Sequence, residues 1–169
     1  DQDHPDFFAA FILNNIFGAS GFESRLMDEV REKRGLTYGI YTFLMSKDLA
    51  ETMVGRLASA NGRIAEAVDV IQSEWARMQT EGVTAEELAD AKTYLTGAYP
   101  LRFDGNGRIA NILVGMQMTG LPIDYAETRN DRINAVSLEE INRVASELMQ
   151  PDALQFVIVG QPEGLSSTN

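Results

Sequence analysis

Apolar residues recur along this chain at two spacings, and the points where one gives way to the other mark its elements. Residues 6–17 (DFFAAFILNNIF) are apolar nearly all round and stop at Gly18. That predicts a buried helix with Asp6 as N-cap and Gly18 as C-cap. The small residues Gly18-Ala19-Ser20-Gly21 then form a tight loop. A second helix is expected over residues 23–33, with Leu26 and Val30 inward at i and i+4, ended by Gly35. Residues 37–45 (TYGIYTFLM) switch to aromatic and β-branched types apolar on both faces, the signature of an inner strand. Ser46-Lys47-Asp48 is expected to turn the chain into a returning strand over residues 51–60, with Gly55 weakening it or marking a bulge.

The remainder reads mostly as helix. Asn61 is the expected cap of a helix whose Ile64, Ala67, Val68, Ile71, Trp75 and Met78 share one stripe, closed by Gly82. Thr84-Ala85-Glu86-Glu87 is a capping-box pattern opening a helix through Leu88, Ala91 and Leu95, before Pro100. Residues 104–107 (DGNG) start another, with Ile109, Ile112, Leu113 and Met116 inward and Gly120 closing it. Pro122 suits the first turn of a short helix through Tyr125 and Arg129. Ser137-Leu138-Glu139-Glu140 is a second capping box, leading Ile141, Val144 and Leu148. Residues 154–159 (LQFVIV) are read as a short buried closing strand before Gly160 and Pro162.

The order α-α-β-β-α-α-α-α-α-β implies an α+β two-layer sandwich, a small mostly antiparallel sheet covered by helices on one face. Three strands are few for so many helices, and a further strand just before Asp1 would complete the sheet. Residues 1–162 form one expected domain, and 163–169 a flexible tail. A sheet lacking its first strand leaves an edge open to pairing, so a homodimer is a further expectation.

Composition narrows the chemistry. The 169 residues are 44% hydrophobic and 23% charged, enough for one sizeable core. A net charge of -11 argues against nucleic acid or an anionic membrane as main partner. No apolar run reaches the roughly 18 residues a membrane span needs. Without cysteine there is no disulfide framework, thiolate metal site or cysteine nucleophile, and cytosol and periplasm remain equally open. The one histidine, His4, sits between Asp3 and Asp6, but Pro5 forces an extended path among them, so this chain alone is a poor metal binder.

Most candidate constellations reduce to structure. Glu29, Glu32, Glu87 and Asp90 combine into acid–base pairs only on paper, and Glu86, Glu87, Glu139 and Glu140 suit the first turns of helices. No G-x-S-x-G elbow is present. The stretches Gly105-Asn106-Gly107 and 18–21 lack the lysine and the strand context of phosphate-binding loops.

Arg31 and Tyr38 stand apart. Both donate hydrogen bonds, and they flank the glycine break between a charged helix end and an aromatic strand starting at Tyr38. Rigid elements on either side make such a corner a good place to present donors. The plainer reading stays open: Arg31, Lys33 and Arg34 neutralise the helix C-terminus, and Tyr38 is a strand aromatic.

Ser24-Arg25-Leu26-x-x-Glu29-Val30-Arg31-Glu32-Lys33-Arg34-Gly35-Leu36-x-Tyr38 closely resembles a signature of the insulinase/pitrilysin family of zinc metallopeptidases, which includes the mitochondrial processing peptidases. The match is to their second, non-zinc-binding half. Weaker echoes are the aromatic helix before Gly18, residues 82–88 (GVTAEEL) and the end Val159-Gly160. In that family two similar halves close around a peptide, one carrying an H-x-x-E-H zinc helix and the other an arginine and a tyrosine. The resemblance therefore implies that Arg31 and Tyr38 contact the substrate carbonyl and oxyanion, with zinc held by a homologous partner half. This chain has no H-x-x-E-H, and it lacks the strand that ordinarily precedes the first helix. It reads as one domain of a longer protein, inactive alone. The rival expectations are a non-catalytic scaffold of the same fold, a peptide-binding module, and an unrelated ligand-binding α+β domain.

Overall fold

The computed structural model describes residues 2–47 and 50–166. Asp48 of the expected turn and residues 167–169 of the expected tail lie outside the described residues. The chain folds as an α+β half-domain in which helices pack around one core and cover an antiparallel hairpin.

Helix α1 (Phe7–Asn14) buries Phe8, Ala9, Ile12 and Leu13, as its all-round apolar sequence requires. It does not end at Gly18. The chain widens into a π-helical turn (Asn15–Ala19), which lays Gly18 against strand β1 (Ile40–Met45). A Cβ at Gly18 would stand 2.4 Å from Thr42 Oγ1, so this glycine is fixed by close approach rather than by capping. Asp6 makes no side-chain cap. Its carboxylate pairs instead with Arg143 on α6 (Leu138–Leu148), which holds it below the usual carboxylate range.

The second helix is also π-wound, over Met27–Glu32, and is stopped by Gly35 at φ 60°. Strand β1 starts at Ile40, not at Tyr38, and pairs with β2 (Thr52–Leu57) in the register Ile40↔Leu57 to Met45↔Thr52. Gly55 lies opposite Thr42 in that register, so it marks no bulge.

Helix α2 (Ile64–Glu81) sets Ala67, Val68, Ile71, Trp75 and Met78 into the core, as its stripe predicts. It begins three residues beyond Asn61, whose carbonyl accepts from Glu163 N–H at 3.0 Å instead. Gly82 follows at φ 69°. Both predicted capping boxes form, Thr84/Glu87 on α3 (Ala85–Ala98) and Ser137/Glu140 on α6.

Helix α4 (Asn106–Met118) departs from expectation. Of its supposed inward residues only Met116 is buried, and Leu113 is exposed. Helix α5 (Tyr125–Ala135) starts after Pro122, whose carbonyl accepts from Tyr125 N–H at 3.0 Å. It carries the buried Arg129, stacked 4.2 Å over the Tyr99 ring and 5.4 Å over Phe11.

The closing strand is not formed among the described residues. Residues 154–159 take up no regular secondary structure, and the sheet of the described residues has two strands, β1 and β2. Leu154 and Phe156 pack on the core, whereas Val157 and Val159 are 92% and 94% exposed. The arm is anchored at one end by Trp75 Nε1 donating to Gln150 O (3.2 Å) and at the other by Glu163 N on Asn61 O. Between the arm and β2 lies a groove of about 900 Å³, floored by Phe17, Leu26, Ile71 and Trp75.

Candidate functional site

The signature around Gly35 divides into residues that the fold consumes and residues that it presents. Ser24 is fully buried, its hydroxyl donating to Gly21 O (3.1 Å) at the start of the second helix. Leu26 and Val30 are core residues. Arg25 reaches across to the start of α3. Its Nε and Nη2 donate to Glu87 Oε1 and Oε2 at 2.6 and 2.7 Å, and Nη2 also reaches Gly82 O at 2.8 Å. Burial would raise the Glu87 carboxyl, but the Arg25 and Thr84 hydrogen bonds outweigh it and hold the group low. One carboxylate thus caps α3 and clamps the second helix onto it.

Glu29 is buried as well. It accepts from Lys33 Nζ (2.7 Å) and Arg34 Nη1 (2.6 Å), while Lys33 also pairs with Asp28 (2.8 Å). Those hydrogen bonds, Lys33's first, keep the Glu29 carboxyl below its ordinary value. Lys33 and Arg34 are therefore occupied at the helix end. Of the acids weighed from sequence, Glu87 and Asp90 line one pocket beside Arg25, but Glu87 is taken by that arginine and Glu29 by Lys33 and Arg34.

Arg31 lies in the last π-helical turn, with Nη1 3.5 Å from Glu32 Oε1 and its side chain partly exposed. The following corner is tightly tied. Gly35 N–H donates to Arg31 O (2.7 Å), and Leu36 N–H reaches back to Val30 O (2.9 Å). Arg63 Nη2 donates to Arg34 O (3.1 Å) and Ser59 Oγ to Leu36 O (2.7 Å). Thr37 Oγ1 donates to Ala58 O (2.7 Å) and accepts from Gly39 N–H (3.1 Å). Ile40 N–H meets Met27 Sδ at 3.5 Å. Every residue from 34 to 40 except Tyr38 is engaged in this way. Tyr38 itself is 96% exposed and makes no hydrogen bond, ion pair or ring contact among the described residues. It is not the core aromatic that the plainer reading allowed.

A scan against protein families matches residues 1–95 to the peptidase M16 inactive domain. The chain belongs to that family. The matched stretch contains the whole signature, and the insulinase/pitrilysin resemblance is borne out in its non-zinc-binding form. Among curated relatives, a Helicobacter pylori protein named "Non-peptidase homolog YmxG" is 30% identical over 139 residues, covering 82% of this chain and 32% of its own length. A Bacillus subtilis protein named "Uncharacterized zinc protease YmxG" is 27% identical over 150 residues, covering 88% and 36%. The crystal structure of a peptidase M16 inactive domain from Pseudomonas fluorescens superposes with a TM-score of 0.79 at 31% identity, covering 90% of this chain and 36% of that one. The chain thus spans about a third of the length of the curated relatives it matches.

The residues present do not fit a zinc ion. No group of three or more His, Asp or Glu side chains able to hold a metal exists among the described residues. His4 Nδ1 accepts from Asp6 N–H (3.1 Å), and Asp6 is committed to Arg143. No helix among the described residues is long and apolar enough to cross a membrane.

Sequence reasoning missed the Arg25–Glu87–Gly82 clamp and the Ser59, Thr37 and Arg63 ties. The residues lie 21 to 62 positions apart, so no local spacing announces them. The one available signal was that Arg25 sits in a helix start whose dipole disfavours a cation, which asks for an acidic partner elsewhere.

Proposed function

We propose that this chain is the substrate-contacting, non-zinc domain of an insulinase-like peptidase. Arg31 and Tyr38 donate hydrogen bonds to a peptide carbonyl beside the scissile bond, and a homologous half bearing H-x-x-E-H carries the zinc. The observation behind this reading is the division of the signature. Ser24, Arg25, Leu26 and Glu29 have internal work, whereas Tyr38 stands exposed on a backbone tied at almost every neighbouring residue. A phenol and a guanidinium aimed where negative charge develops contribute about 3–4 kcal/mol per donor. The backbone that carries Tyr38 is held still, which leaves only the side chain's own rotation to be fixed by a substrate.

The test is reconstitution with the zinc-bearing half, on the same chain or a separate one. Arg31→Ala and Tyr38→Phe should each lower kcat/KM at least tenfold, and Tyr38→Phe should leave the melting temperature unchanged. Near-normal turnover in both variants would remove the assigned roles.

A second reading, a non-catalytic assembly or peptide-binding domain of the same fold, is supported by the name of the Helicobacter pylori relative, a non-peptidase homolog. The complete reading frame and its neighbours separate the two. An H-x-x-E-H motif there favours the peptidase, and none favours the scaffold.

A further inference from the structure

A second pocket, of about 550 Å³, lies between the π-helical turn that follows α1 and helix α3. Asn15 is the telling residue in its wall. It is only 5% exposed, yet its side-chain amide makes no hydrogen bond among the described residues. A buried polar side chain without a partner costs stability that an apolar residue at the same place would not. The neighbouring Asn14 has its Oδ1 sealed from solvent, whereas the Asn15 amide is not sealed and lines the pocket.

Two carboxylates share the pocket with it. Glu23 stands on a short 3₁₀ turn (Gly21–Glu23), and Asp90 lies in the second turn of α3, past the reach of that helix's dipole. Neither side chain has an ion pair or hydrogen bond among the described residues. Arg25 and Glu87 also line the wall, but they neutralise each other. The remaining guanidinium nitrogen, Arg25 Nη1, is shut off from solvent, so the pocket presents no cation to an anionic ligand. Its uncompensated charge is negative. Among the described residues these acids do not form a group able to hold a metal ion. Ile16 and Ala91 add apolar wall, and the half-exposed Tyr94 adds an aromatic ring.

We propose that this pocket binds a short alkylammonium ion. The ammonium donates to Asn15 Oδ1 and to the carboxylates of Glu23 and Asp90, and the methylenes lie on Ile16 and Ala91. An ammonium carries three donors and no acceptor, which suits a wall of unpaired acceptors. Its charge is also attracted to the ring of Tyr94. A free amine and the side chain of a lysine share this chemistry, and the test separates them.

The complete protein is titrated with butane-1,4-diamine, followed by calorimetry and by the side-chain amide resonances of Asn15. One saturable site with a Kd below about 1 mM is expected, with the Asn15 amide shifting along the same isotherm. Asp90→Asn, Glu23→Gln and Asn15→Ala should each weaken binding about fivefold or more without lowering the melting temperature. Nα-acetyl-lysine amide binding more tightly than the diamine assigns the site to a lysine side chain, and binding more weakly assigns it to a free amine. Three results would overturn the proposal. Equal binding of butane-1,4-diol makes the pocket merely apolar, and equal displacement by potassium chloride at the diamine's concentration reduces the effect to surface screening. No saturation below about 10 mM means that no such site exists.

Discussion

Replacing Arg25 by alanine should destabilise the domain by about 2–3 kcal/mol without touching the proposed catalytic corner. The side chain makes two charge-assisted bonds to Glu87 and one to Gly82 O, and only 11% of it is exposed, against 29% of Glu87. Breaking a fully buried pair costs about 3–5 kcal/mol, and an exposed pair contributes about 0–1. This pair lies between, nearer the buried limit on the arginine side. Glu87 keeps its bond to Thr84 N–H (2.7 Å) after the change, which limits the loss. In a domain of this size 2–3 kcal/mol lowers the melting temperature by about 4–12 °C. Urea unfolding followed by fluorescence of Trp75, the only tryptophan, reads it directly. Glu87→Gln is the useful second change, because glutamine still completes a capping box while losing the charge. The double-mutant cycle should return a coupling of about 1–2 kcal/mol. Arg25→Lys should recover less than half of the loss, since an ammonium cannot present the planar fork. A cost for Arg25→Ala below about 0.5 kcal/mol, with negligible coupling, would refute the clamp.

Gly18→Ala should cost about 1–3 kcal/mol, because its new methyl would stand 2.4 Å from Thr42 Oγ1 in a filled site. Combining it with Thr42→Ala, which deletes a buried hydroxyl that has no hydrogen-bond partner among the described residues, should recover part of that cost in the same unfolding assay. Glu74 is buried on α2 and lies 2.8 Å from Arg77 Nη2, and its burial raises the carboxyl above the ordinary 4.5. The folded state therefore holds this proton more tightly than the unfolded one, so stability falls as pH rises from 4.5 through the folded value. Glu74→Gln should accordingly stabilise the protein at pH 7 by about 1 kcal/mol, with the gain vanishing toward pH 4 in melting curves. A gain independent of pH would show that the carboxyl is not the cause.

What was legible in the sequence was what is local. Thr84/Glu87 and Ser137/Glu140 form their boxes because cap and acceptor lie three residues apart. The α2 stripe buries its residues because one face meets the core along the whole helix. Residues 154–159 carry strand chemistry, but a strand is defined by its neighbour, and none pairs with them among the described residues. The α4 face failed for a related reason: periodicity marks an apolar face without saying what stands opposite. At the corner, the sequence singled out Arg31 and Tyr38 through a family pattern. It could not show that Arg25 and Glu29 in the same pattern serve the fold, because Glu87 lies 62 residues away.

The ties around Tyr38 have a thermodynamic meaning for any molecule that binds there. A loop ordered only on binding surrenders about 1–2 kcal/mol of backbone entropy per residue, several kcal/mol over a segment of this length. Here Ser59, Thr37 and Arg63 impose that ordering during folding, before any ligand arrives. A partner hydrogen-bonding the phenol restricts one side chain's rotation, about 0.5–1.5 kcal/mol. Affinity at this corner is thus set by the contact itself, and loosening Ser59 would weaken binding without removing a single group that touches the ligand.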